Sequence, residues 1–192
     1  MSSQVSTVPR HSLNARQAET VERLLAAAAE ELESVGHEAL TIRSVAQRAG
    51  VSPATAYTYV ASKDHLFAEL FWRLLADDEG PRLRGRTPTA RLQETTRHLA
   101  TLIAGAPATA AAATKSLLGN DPQVERLRLR IGTRILDSFR AALGDGASPE
   151  VLQAVQFAFF GGVLQAGMGV FTHEELATRF DDVVAVIMAG TS

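Results

Sequence analysis

The chain has 192 residues, enough for one large domain or a small domain on a larger one, and its 46% hydrophobic content supports a buried core. A net charge of −2 argues against a protein that coats nucleic acid indiscriminately, and the absence of cysteine excludes disulfides and thiolate metal sites. The longest apolar run, 157–164, falls far short of the roughly 20 residues of a membrane span; with no apolar leader segment either, a cytoplasmic protein without membrane contact is expected.

Every persuasive periodic segment is helical, and the predicted class is all-α with about nine helices. Residues 1–13 read as a flexible arm. A first helix is expected over 14–35, with Val21, Leu24, Leu25, Ala28, Leu32 and Val35 on one face and Gly36 ending it. Next, Thr41 is a natural N-cap for a short helix that carries Val45, Ala46 and Ala49 inward, and Gly50 stands where a left-handed C-terminal residue belongs. Ser52 caps a second short helix, and Pro53 fits its first position, where the missing N–H costs nothing. Two short helices joined by a tight glycine turn make a helix-turn-helix, which lays its second helix in a DNA major groove.

Ser62 then caps a fourth helix, with Leu66, Phe67, Leu70, Phe71 and Leu74 in a stripe that runs to about Asp78. The segment 79–88, with Gly80-Pro81, Gly85 and three arginines, reads as a loop and marks a boundary. Beyond it a fifth helix is expected from near Thr89 to near Gly105, and an alanine-rich helix over 107–118. Asp121-Pro122 opens a long helix to about Leu143, with Val124, Leu127, Ile131, Ile135, Phe139 and Ala142 inward. Ser148-Pro149 repeats that start signal for a helix to about Gly169. Finally, Thr172 and Glu175 form a capping box for a last helix that ends near Ala189.

Charge is unevenly distributed. Residues 1–18 carry Arg10 and Arg16 with no acid, and residues 41–63 carry Arg43, Arg48 and Lys63, again with no acid. Between them, Glu19, Glu22, Glu30, Glu31, Glu33 and Glu38 stand against Arg23 alone, on a helix expected to face away from DNA. The N-terminal end and outer face of the second short helix hold Ser52, Pro53, Ala54, Thr55 and Thr58. These small residues allow close approach, and the threonines offer hydroxyls and methyls to base edges. Lys63 lies in the first turn of its helix, where free N–H groups favour a phosphate. Thr41 is a further phosphate donor, Arg43 a candidate for a phosphate or a base edge, and Arg10 and Arg16 for an adjacent minor groove or backbone. Tyr57 and Tyr59 flank one helix end, where one of them packs or both reach DNA. With no Asn, Gln or Arg at a groove-reading position, specificity is expected to rest partly on DNA shape.

Gly50-Val51-Ser52, then Thr55, Tyr57 and Tyr59, then Ser62-Lys63 backed by Leu66-Phe67, closely resemble the DNA-binding domain of the TetR family (TetR/AcrR-like) of bacterial transcription regulators. The specific likeness covers roughly residues 14–75, and the order of the later helices matches the family layout. Three positions depart from the pattern: Ala56 replaces a larger aliphatic, Val60 an aromatic and Ala61 a common proline. The resemblance implies that Thr55, Tyr57, Tyr59 and Lys63 touch the sugar-phosphate backbone. It also implies an arm over 1–13, a helix-turn-helix DNA-binding domain over 14–61, a connecting helix over 62–78 and a ligand-binding and dimerisation domain over 79–192.

A helix-turn-helix buries little surface alone, and dimers bind half-sites about one helical turn apart. The last two helices, the first of them rich in small residues, are the expected pairing elements, as in TetR-like four-helix interfaces. The predicted interface residues are Ala158, Gly161, Gly162, Gln165, Phe180, Val183, Val184 and Ile187. An apolar cavity is expected among Trp72, Leu99, Leu102, Ile103, Leu117, Leu118, Phe139, Phe157, Phe160, Leu164 and Met168. Polar contacts would come from His98, Gln153 and Gln156, and the ligand would be an unidentified, mainly apolar small molecule. No enzyme is expected: the five histidines are scattered without metal-ligand spacing, and no GxSxG, P-loop or Rossmann fingerprint occurs, so neither metal nor cofactor is implied. The resemblance therefore implies a ligand-responsive transcriptional regulator and, by the habit of the family alone, a repressor that binds a palindromic DNA operator as a homodimer and is released by its ligand. The alternative is an activator, or a ligand-independent DNA-binding dimer of the same fold.

Overall fold

The computed structural model of the chain describes residues 10–144 and 148–190. Among them are nine α-helices: α1 Arg10–Ala39, α2 Ile42–Arg48, α3 Pro53–Tyr59, α4 Lys63–Ala76, α5 Pro88–Ala104, α6 Pro107–Leu117, α7 Pro122–Leu143, α8 Pro149–Gly167 and α9 His173–Ala189. The expected all-α architecture with an N-terminal helix-turn-helix is what the chain adopts. Most starts follow the capping chemistry of the sequence. The side chains of Ser62, Thr87, Asp121, Ser148 and Thr172 each accept a first-turn amide, and proline opens α5, α7 and α8.

Two boundaries differ from expectation. α1 begins at Arg10 rather than at residue 14, so the last four residues of the predicted arm are helical; residues 1–9 lie outside the described residues. At its other end Gly36, with φ 74° and ψ 168°, breaks the rod where predicted, but the chain resumes helical form to Ala39.

The core falls into two clusters. The first gathers Leu24, Leu25, Ala28 and Leu32 of α1, Val45 and Ala46 of α2, Ala56 of α3 and Leu66, Phe67 and Leu70 of α4. In the second, Ala68, Phe71 and Leu75 of α4 meet the inner faces of α5 to α9. α4 thus belongs to both cores, and the single stripe expected along it is really two faces. Ala112 of α6 is fully buried in the first cluster, so α6 also crosses the boundary. At roughly 1.5–3 kcal/mol for each fully buried large apolar side chain, these two helices tie the halves together. Polar links reinforce the join: the Ser116 hydroxyl donates to Asp64 at 2.8 Å, Lys115 to the Glu38 carboxylate at 2.8 Å, and Ser62 to Asp121 at 2.5 Å. Arg134 of α7 donates to the carbonyls of Leu75 and Asp78 at the end of α4.

Deeper in the second core, the Phe159 ring stands edge-on to Phe139 and to Phe180, each at 5.4 Å between centroids. α9 packs along α5 and α8, and α7 lies against α4 and α5.

Candidate nucleic-acid interface

The helix-turn-helix is built from local hydrogen bonds that its sequence dictates. At the start of α2 the Ser44 amide donates to the Thr41 hydroxyl at 3.0 Å, and the Thr41 amide donates to the Ser44 hydroxyl at 3.2 Å. α2 ends in a Schellman turn: the Val51 N–H reaches the Ala46 carbonyl at 3.0 Å, the Gly50 N–H reaches Gln47 at 3.1 Å, and Gly50 sits at φ 66°. One residue later the Thr55 amide donates to the Ser52 hydroxyl at 3.0 Å and Pro53 opens α3. Among α3 residues only Ala56 is buried, and Val60, just past its end, is buried as well. Ser52, Pro53, Ala54, Thr58 and Tyr57 are exposed, with Thr55 half-buried. Tyr57 is 57% exposed, whereas Tyr59 is half-buried against the first core, so the two tyrosines flanking the helix end divide the roles of outward and packed side chain.

The basic groups separate into free and tied ones. Arg43 is exposed on α2 with no partner among the described residues, and Arg16 is exposed on α1, while the Arg10 side chain lies outside the described residues. Arg48, one of the three basic groups of the helix-turn-helix, is committed to α1: its Nε donates to Glu31 at 2.8 Å, and Glu30 lies 3.5 Å from Nη1. That hydrogen bond, with a second from Ser44, holds the buried Glu31 carboxyl below its ordinary range. Lys63 donates from Nζ to the Glu38 carbonyl at 2.9 Å, capping the end of α1. Thr41 spends both its amide and its hydroxyl inside the capping box, so the donors expected to meet a phosphate are already engaged. The Thr58 hydroxyl donates to the Ala54 carbonyl at 3.1 Å, which leaves its methyl outward.

In the other half of the chain, a cavity of about 300 Å³ lies between α4, α6, α7 and α8. Of the residues predicted for it, Ile103, Leu117, Leu118, Phe160 and Leu164 line it; Phe71, Ile131 and Ile135 do so without having been predicted. The rest are elsewhere. Leu99 and Phe139 are enclosed in the core and Leu102 packs on it, on other faces of α5 and α7 than the ones that bring Ile103, Ile131 and Ile135 to the void. The Arg130 guanidinium lies 4.1 Å over the Trp72 ring. His98 pairs through Nε2 with Asp78, at 2.8 Å. Gln153, Phe157 and Met168 point outward, and Gln156 lines a neighbouring cavity.

The residues predicted for a subunit interface lie in differing environments within the protomer. Phe180 and Val184 are buried within the protomer, and a Cβ on Gly162 would come within 2.6 Å of Leu176, so that glycine serves the α8–α9 contact inside one chain. Gln165 and Val183 are exposed, and Ala158, Gly161 and Ile187 are partly so. On the outward faces of α8 and α9, Phe157 is 67% and Val186 74% exposed, and neither is among the residues predicted for the interface.

Residues 24–70 match the family described as bacterial regulatory proteins, tetR family. HTH-type transcriptional regulators of Mycobacterium bovis and Mycobacterium tuberculosis, named as uncharacterized, are each 42% identical over 183 residues, which cover 94% of this chain and 86% of theirs. The chain belongs to the TetR family. Solved folds agree. A TetR transcriptional regulator from Rhodococcus sp. RHA1 aligns over 93% of this chain and 99% of its own, with a TM-score of 0.73 at 19% identity. The TetR family repressor FadR of Thermus thermophilus, solved in complex with lauroyl-CoA, aligns over 85% and 92% with a TM-score of 0.62 at 20% identity.

As a TetR-family transcriptional regulator, this protein is a DNA-binding protein, and its departures from the family pattern are absorbed locally. Ala56 and Val60 are both buried in the first core, and Val60 borders a cavity of about 210 Å³ beside Val21, Leu24, Leu25 and Tyr59. Ala61 keeps an amide that proline would lack, and that amide donates to His65 Nδ1 at 3.1 Å. Among the described residues no cluster of His, Asp and Glu is placed to hold a metal, and no helix is long and apolar enough to cross a membrane.

Proposed function

We propose that this regulator is a cytoplasmic repressor that binds a palindromic operator as a homodimer and leaves it when a mainly apolar small molecule occupies the cavity beside α4. The observation that carries the DNA side of this reading is α3: seven residues, one of them buried, with no acid and small or hydroxylated side chains at the end that enters a groove. Arg43 supplies a free cation beside it. Ser52, Pro53, Ala54, Thr55 and Thr58 face base edges, while Thr55, Tyr57 and Lys63 follow the backbone. The exposed apolar surface of α8 and α9, centred on Phe157, Val183 and Val186, supports the dimer. The cavity, with Phe71 of α4 in its wall, supports the ligand response.

Occupancy favours a form of the dimer whose recognition helices are spaced wrongly for the operator. Such a shift requires the ligand to bind the two forms with different affinity, about 10⁴-fold for a near-complete switch. Selecting DNA from a random-sequence pool with the purified protein tests the reading. A palindrome with half-sites about one turn apart is the expected result; enrichment of nothing across a range of salt would overturn it.

A further inference from the structure

Two cavities adjoin in the C-terminal half, and they differ in polarity. The inner one, of about 300 Å³, has a single polar side chain in its wall, Thr114, whose hydroxyl is already donated to the Ala110 carbonyl at 2.8 Å. The outer one, of about 470 Å³, shares Leu117, Ile131 and Phe160 with the inner and adds Arg128, Thr133 and Gln156. Arg128 and Thr133 are exposed, so the outer cavity opens to solvent; the inner one reaches the surface as well, at Leu118. We propose that the ligand is a single-chain amphiphile, its apolar chain in the inner cavity and its anionic end held by Arg128 in the outer one. This rests on the reading of the apolar cavity as the ligand site.

Arg128 is suited to the task. Its Nε donates to the Leu117 carbonyl at 2.8 Å and its Nη2 to the Gly119 carbonyl at 2.6 Å, which fix the planar group in place. A guanidinium has five N–H donors, so others remain for an oxyanion. Both partners are neutral, and no carboxylate among the described residues pairs with it. α7 carries arginines on several sides, but Arg130 lies over the Trp72 ring and Arg134 donates to the Leu75 and Asp78 carbonyls, both toward α4; Arg128 is the charged side chain in the wall of the outer cavity. A neutral apolar molecule would use none of this.

The same side chain connects the site to the rest of the molecule. The carbonyls that Arg128 holds lie at and just beyond the end of α6, the helix whose Ala112 is buried in the N-terminal core. An anion on the remaining N–H groups is thereby joined through one guanidinium to the end of α6.

Calorimetric titration of the full chain with decanoate, decyl phosphate and decanol, each below its aggregation concentration, tests the proposal. For the native protein, at least one of the two anions should bind roughly tenfold or more tighter than decanol. The anion that gains more identifies the headgroup as carboxylate or phosphate. Arg128→Gln keeps a donor for the α6 carbonyls and removes the charge, so it should bring the anions to the level of decanol while leaving decanol unchanged. Arg128→Lys should retain most of the preference. Equal affinity of anions and decanol for the native protein would overturn the anionic end and leave the apolar cavity standing. Binding of none of the three would overturn both readings. An anion preference that survives Arg128→Gln would overturn the role of Arg128. The native comparison decides the headgroup even where a variant fails to fold.

Discussion

Gly50 and Gly36 both have positive φ, yet they should respond differently to the same substitutions. A Cβ at either position meets nothing within 4 Å, so Ala at each tests backbone conformation without a steric clash. Gly50 closes a Schellman turn at φ 66°, in the left-handed region, where an L-residue is disfavoured by about 1–2 kcal/mol. Ala also reduces the freedom of the unfolded chain, which returns about 0.4–1 kcal/mol. The net loss for Gly50→Ala is therefore about 1 kcal/mol, or about 2–4 °C in melting temperature for a chain of this size. Asn tolerates the left-handed region, so Gly50→Asn should recover most of that loss. Gly36 differs in ψ: at φ 74° and ψ 168° it occupies a region open essentially to glycine alone, at a cost of about 1–3 kcal/mol for other residues. There Asn should be no better than Ala. Urea unfolding of the four variants, compared at a common m-value, reads this directly. If Asn rescues Gly36 as well as it rescues Gly50, or rescues neither, the conformational argument fails.

Four further outcomes are expected. Phe180→Ala removes a ring stacked edge-on against Phe159 in the core and should cost about 3–5 kcal/mol in urea unfolding; Val186→Glu, on the exposed face, should leave the protomer folded and shift the proposed dimer to monomer in sedimentation. Lys63→Ala should weaken binding to all DNA sequences alike and reduce the salt slope by about 1, whereas an unchanged slope would limit Lys63 to capping α1 through the Glu38 carbonyl. Burial lowers the pKa of His173 from 6.5, and its Nε2 is enclosed without a hydrogen-bond partner. Below pH 6.5 the unfolded state thus binds more protons than the folded one, and stability falls as pH drops towards the folded pKa; His173→Gln should flatten that part of the pH profile.

What was legible in the sequence was what neighbouring residues decide among themselves. The caps of α2, α3, α4 and α9 and the Gly50 turn depend on side chains within three to five positions, and each forms where expected. α7 was also read correctly along its inward face, because its charged outer side leaves one way to bury it. α8 offered no such contrast. It is apolar on nearly every side, so periodicity could not say that Phe159 enters the core while Phe157 faces out, nor that Gly162 meets Leu176 rather than a second subunit. On α9 the same difficulty assigned Phe180 and Val184 outward, although α5 and α8 enclose them. Polar ties such as Arg48 to Glu31 and Asp64 to Ser116 join residues 17 and 52 positions apart, and no local signal announces them.

The two-faced character of α4 was also hidden, and it bears most on function. Leu66, Phe67 and Leu70 are packed with the helix-turn-helix, while Phe71, one residue further on, is in the wall of the apolar cavity. A single turn of helix therefore touches both sites. Packed interiors are dense and yield little, so a change in cavity volume at Phe71 is relieved by moving α4 as a body rather than by local give. Such a movement carries Leu66 and Leu70 with it, and with them the seat of α2 and α3. α6 supplies a second rigid path, since Leu117 lines the cavity and Ala112 lies in the N-terminal core. Two helices crossing one boundary constrain the motion more than one would. Under the proposed function, a ligand in the cavity would rotate the N-terminal helices against the rest, and in the proposed dimer that rotation would set the distance between recognition helices.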